Sequence, residues 1–84
     1  MIDKETFARI IQGIIQLGEK RYDNDEFPPP KEAALRQYYM LANEAAIYYK
    51  TALICESQGV AEALEYYKGT HDEEEYKEFV DEEV

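Results

Sequence analysis

The chain is predicted to be all-α: a small antiparallel bundle of three to four helices around one long central helix spanning about residues 30–57. Two observations predict this. Apolar residues recur at steps of three and four, and polar pairs recur every seven residues through the middle of the chain. A third observation excludes a sheet, since no stretch alternates apolar with polar and helix formers dominate.

Asp3 is the expected N-cap of the first helix, because its side chain can accept from a backbone amide two or three residues on. Phe7, Ile10, Ile11, Ile14 and Leu17 follow at helical spacing and carry the helix to about Tyr22. Gly13 and Gly18 each weaken it by about 1 kcal/mol relative to alanine. Gly18 continues the apolar row, so it is either a tolerated surface glycine or a point of close helix approach. Residues 23–27 are polar apart from Phe27, and Pro28, Pro29 and Pro30 follow, which makes a stiff connection. Pro30 also suits the start of the next helix.

The second helix carries polar pairs at Arg36-Gln37, Asn43-Glu44, Lys50-Thr51 and Ser57-Gln58. Between them run Ala34, Tyr38, Leu41, Ala45, Tyr48, Ala52 and Cys55 on one row, and Leu35, Tyr39, Ala42, Ala46, Tyr49 and Leu53 on another. One narrow polar stripe is therefore expected in water, with everything else covered by neighbouring helices or another subunit. Gly59 should end this helix. A short third helix is expected over residues 60–68, with Val60, Ala63, Leu64 and Tyr67 inward and Gly69 closing it. Thr70 with Glu73 reads as a capping box for a fourth helix that sets Tyr76, Phe79, Val80 and Val84 on one face. Residues 1–69 then form a single helical domain, and residues 70–84 an acidic helix or tail.

Eighty-four residues allow one domain with a marginal core, since a chain this short buries only about 60% of its extended surface. The single cysteine excludes an internal disulfide. No basic-then-apolar leader opens the chain, and residues 33–55 hold too many polar groups to cross a bilayer, so a soluble cytoplasmic protein is expected. A pI near 4.4 argues against direct binding to nucleic acid or anionic lipid.

Catalysis has little support, and no enzyme, cofactor or metal is expected. His71 stands beside a carboxylate run without a fixed partner. Cys55 sits in an apolar row near a helix C-terminus, the end that disfavours a thiolate. No Glu-x-x-His pair exists for a di-iron site. Asp23-Asn24-Asp25 opens like a calcium loop, but Phe27 and Pro28 stand where an oxygen ligand and the turn glycine belong.

Binding chemistry is better represented. Six of the eight tyrosines are doublets, Tyr38-Tyr39, Tyr48-Tyr49 and Tyr66-Tyr67, in which one ring is expected inside and the other at a boundary. Residues 70–84 hold eight acids against one base, a net charge of −7 out of −10. Apolar residues are threaded through these acids at helical spacing, which a purely solubilising tail would not require.

Glu44-Ala45-Ala46-Ile47-Tyr48-Tyr49-Lys50 and Glu62-Ala63-Leu64-Glu65-Tyr66-Tyr67-Lys68 share the form E-A-x-x-Y-Y-K. With Gly59 as the turn, residues 45–68 resemble the helix pair of one tetratricopeptide repeat. The 18-residue offset departs from that family's 34, so the likeness is one of helix-hairpin form.

Two functions are expected from these features. The first is an acidic inhibitor that presents a DNA-mimic carboxylate surface to a basic, nucleic-acid-binding protein, similar in size and charge to phage antagonists of restriction or CRISPR machinery. Its binding residues would be Asp72, Glu73, Glu74, Glu75, Tyr76, Glu78, Asp81, Glu82 and Glu83, with Asp23, Asp25 and Glu26 extending the patch. The alternative is a helical adaptor or self-assembling subunit that works through the tyrosine-lined long helix.

Overall fold

A computed structural model describes residues 2–69 and 74–80. They form four helices: α1 (Lys4–Asp23), α2 (Lys31–Gln58), α3 (Val60–Gly69) and α4 (Lys77–Val80). There is no strand among the described residues. The body measures 44 × 24 × 22 Å. Its long axis is set by α2, whose 28 residues span about 42 Å at 1.5 Å each.

Local chemistry marks the helix ends. Asp3 is extended, and its carboxylate accepts from the Thr6 amide at 2.7 Å, which starts α1 and holds the Asp3 pKa below its usual value. Lys20 and Arg21 occupy the last turn, where cations suit the helix dipole. Asp25 then turns the chain at φ 60°, a conformation that aspartate tolerates better than most residues. Gly59, at φ 98°, separates α2 from α3, and its amide donates to the Cys55 carbonyl at 3.0 Å. The capping box at Thr70 and Glu73 lies outside the described residues, as does Val84.

The core lies between α1 and α2, which pack antiparallel. Ile11, Ala42 and Ala46 are fully buried, and Ile15, Tyr49 and Phe79 nearly so. Burying a residue such as Ile11 stabilises the fold by about 1.5–3 kcal/mol. The alanines let α1 approach closely, and Gly18 serves the same end. A Cβ on Gly18 would lie 2.6 Å from Cγ and 2.7 Å from Cβ of Tyr38, so Gly18 is the point of close helix approach. Nothing lies within 4 Å of the same position on Gly13. Phe7, Tyr49 and Phe79 form an aromatic cluster: Phe7 stacks on Tyr49 at 4.3 Å between centroids, and Phe79 meets both edge-on at 5.6 and 5.9 Å.

Two expectations fail on packing. The seven-residue stripe on α2 is not all in water, because Asn43 is buried and Lys50 is largely covered. Both bind residues 74–80, a segment distant in sequence that lies over them. In α3, Ala63 turns inward, but Val60 and Leu64 are about 60% exposed and Tyr67 39%. Among the described helices α3 packs mainly on α2, so one side of it finds most of the cover. The tyrosine doublets divide as expected at Tyr48-Tyr49, where Tyr49 is buried and Tyr48 exposed.

Candidate functional site

Successive helix residues turn by about 100°, so the neighbours of a buried residue lie on opposite flanks. In α1, Ile10 and Gln12 flank Ile11, while Leu17 and Glu19 flank Gly18. In α2, Leu41 and Asn43 flank Ala42, while Tyr48 and Lys50 flank Tyr49. Contacts assign each neighbour to one side of the α1–α2 pair. Gln12, Asn43 and Lys50 all bond to residues 74–80, and Glu19 accepts from the Tyr39 hydroxyl beside them. Ile10, Leu17, Leu41 and Tyr48 therefore share the other side.

Residues 74–80 close the first flank as a strap. The Tyr76 amide donates to Asn43 Oδ1 at 2.9 Å, and Gln12 Nε2 donates to the Phe79 carbonyl at 2.8 Å. The Phe79 ring enters the aromatic cluster, with the Lys4 ammonium 5.6 Å above it, and the Tyr76 ring tilts against Tyr39 at 5.8 Å. Lys50 Nζ lies 2.7 Å from Glu75 Oε1 and also binds Glu78. Burial works against the Lys50 charge, but its bonds to Glu75 and Glu78 outweigh that and hold its pKa above the usual value. The bond to Glu19, aided by burial, pushes the Tyr39 phenol up to about 12.

On the second flank, Ile10, Leu17, Leu41 and Tyr48 are 44–56% exposed. Gly18 lies against Tyr38 and Phe7 against Tyr49, so the antiparallel register sets Leu17 within about 3 Å of the level of Leu41, and Ile10 likewise of Tyr48. Half-buried Ile14 and Ala45 lie between them. The Tyr48 ring continues onto α3 by stacking on Tyr67 at 5.6 Å. The hydrogen bond between the Tyr48 and Tyr67 hydroxyls, followed by the charges of Tyr67 and Glu44, raises the Tyr48 pKa.

The acids singled out in the sequence fall into three groups. Asp72, Glu73, Asp81, Glu82 and Glu83 lie outside the described residues. Glu75 and Glu78 bind Lys50, Tyr76 packs on Tyr39, and Glu74 is exposed beside Lys77 at 3.2 Å. Asp23, Asp25 and Glu26 sit at the α1–α2 turn, with Asp25 on Lys31 at 2.9 Å and Glu26 on Arg21 at 3.5 Å. Glu75 and Glu78 meet Lys50, about 28 Å of helix rise from Lys31, so these two acids do not adjoin the acids of the turn.

A shallow cleft of about 250 Å³ lies between Tyr22, Glu32, Leu35, Arg36 and Tyr39, where Tyr22 donates to Glu32 at 3.3 Å. No group of three potential metal ligands occurs among the described residues. No helix of the described residues is long and apolar enough to cross a membrane. Comparison with protein-family models, with curated proteins and with solved structures gave no match.

Proposed function

We propose that this chain is a protein-interaction module whose open flank, formed by Ile10, Leu17, Leu41 and Tyr48, docks an amphipathic helix of a partner with basic residues beside its apolar stripe. The observation that carries this reading is the exposure of four large apolar side chains on one side of a helix pair whose other side is sealed. Charge selects the partner. A second copy would set −10 against −10, whereas a basic helix gains from the field of the whole molecule. An aliphatic patch of two helices, bordered by a tyrosine stack, suits the helix-in-groove mode of recognition.

A second reading is supported by the net charge of −7 on residues 70–84. There the carboxylates would occupy the nucleic-acid groove of a basic protein. Glu75 and Glu78 are engaged by Lys50, so this reading depends on Glu74 and on the acids of residues 72, 73 and 81–83.

One experiment separates the two. Partners from a source lysate are captured on the wild type, on Leu17→Ser/Leu41→Ser and on a variant with acids 81–83 neutralised, then washed at rising salt. A protein lost from the Leu17/Leu41 variant, kept by the neutralised one and retained at high salt supports the open flank. A nucleic-acid-binding protein with the reverse pattern supports the carboxylate reading.

A further inference from the structure

We infer that the groove holding the strap is a peptide-binding groove, filled here by the chain's own residues 74–80. Its ligand in trans is an acidic segment of a partner protein, with a tyrosine and a phenylalanine three residues apart. The contacts are those by which proteins hold short peptides. Two side chains, Asn43 and Gln12, bond the strap's main chain, at the Tyr76 amide and the Phe79 carbonyl. One aromatic hole, lined by Phe7 and Tyr49, takes Phe79, while Tyr39 takes Tyr76. One cation, Lys50, reads the two carboxylates that precede these rings, Glu75 and Glu78. The occupant's chemistry is thus given by the strap itself, Glu75-Tyr76-Lys77-Glu78-Phe79-Val80.

The strap contributes only one turn of helix, α4, and follows α3 after four residues, 70–73. A ligand tethered this closely sits at an effective concentration on the order of 1 mM. If its intrinsic Kd is about 0.1 mM, occupancy in cis masks the groove from a free peptide by about ten-fold. The inference is independent of the open flank, which lies on the other side of the α1–α2 pair and favours a basic segment.

The test uses full-length chain and a fluorescent synthetic peptide of residues 74–80. Phe79→Ala removes the ring that anchors the strap in cis. The expected result is a folded variant, by circular dichroism, that binds the peptide about ten-fold more tightly than the wild type does. Adding Lys50→Glu to that variant should abolish binding, as should replacing the peptide's phenylalanine by alanine. Glu75→Gln/Glu78→Gln, which loosens the strap while keeping Phe79, is the second variant and should bind at an intermediate level. A folded Phe79→Ala chain that ignores the peptide, or binds it no better than the wild type, overturns the inference. So does unfolding of both variants, which would make the strap inseparable from the core. Dimerisation of the wild type that Phe79→Ala removes would assign the groove to a second copy and overturn the partner assignment.

Discussion

The two flanks of the α1–α2 pair begin with the same apolar resource and end differently. On one, residues 74–80 lay Phe79 and Tyr76 over the seam, and Asn43, Gln12 and Lys50 satisfy the strap's polar groups. On the other, Ile10, Leu17, Leu41 and Tyr48 stay 44–56% exposed, with Tyr48 alone of the four stacked on a ring of α3. Apolar side chains alone do not decide which face of a helix pair is closed. The sealed side carries polar side chains at the edge of the seam, able to hold an incoming backbone and its charges. The open side offers mainly aliphatic and tyrosine surface, with the Glu44 carboxylate near Tyr48.

Mutations that strike what the flanks share should have the largest effect. Ile11→Ala empties a fully buried site under both and is expected to cost about 2–5 kcal/mol, read from urea denaturation. Phe79→Ala breaks the sealed side alone. A buried phenylalanine would ordinarily cost more; if the strap detaches while the α1–α2 core persists, as the groove inference requires, the loss is limited to the strap's docking energy. About 1–3 kcal/mol is expected, with exchange protection falling first at the amides of residues 76–80.

Lys50→Met tests the charged part of the seal and should cost about 1 kcal/mol at pH 7, since the pair is only partly buried. Its pH dependence follows from the raised Lys50 pKa. A raised folded-state value contributes stability that is full below the unfolded lysine value of about 10.4 and is lost as pH rises through the folded one. The wild type's advantage over Lys50→Met should be constant from pH 7 to 9 and shrink above about pH 10.4 in thermal melts. The smallest effect on stability belongs to the open flank. Leu17→Ser/Leu41→Ser should change the unfolding free energy by no more than about 0.5 kcal/mol per site while removing partner capture. A large loss of stability there would show that the flank is packed in solution.

Much of this architecture was legible in the residues. Asp3, Gly59 and the seven-residue rhythm of α2 place the helix ends and the long central helix, because caps and periodicity are local properties. The flanks were not legible. Periodicity shows that Ala42 and Tyr49 are inward, but it does not show which neighbour of each meets the rest of the chain. Asn43 and Lys50 read as solvated stripe residues because their partners, Tyr76, Glu75 and Glu78, lie 25–33 residues away. The same distance hid the strap's role. Its acids read as a site for a basic partner, and Glu75 and Glu78 bind a lysine of the same chain. The signal available in the sequence was the apolar threading of Tyr76, Phe79 and Val80.

One ring has a consequence for the order of events in time. Tyr49 stacks on Phe7, takes the edge of Phe79, and donates its hydroxyl to the Ile2 carbonyl at 2.6 Å. It therefore joins segments from both extremes of the described chain. Closing the α1–α2 hairpin needs only a short loop, whereas seating Phe79 on Tyr49 closes thirty residues and on Phe7 more than seventy. Loop closure alone thus predicts that the hairpin forms first and the strap seats last. Substitutions at Phe79 should accelerate unfolding in stopped-flow traces and leave the refolding rate nearly unchanged. The residue that completes the core would thus act as its latch, governing how long the native state lasts and having little say in how quickly it is reached.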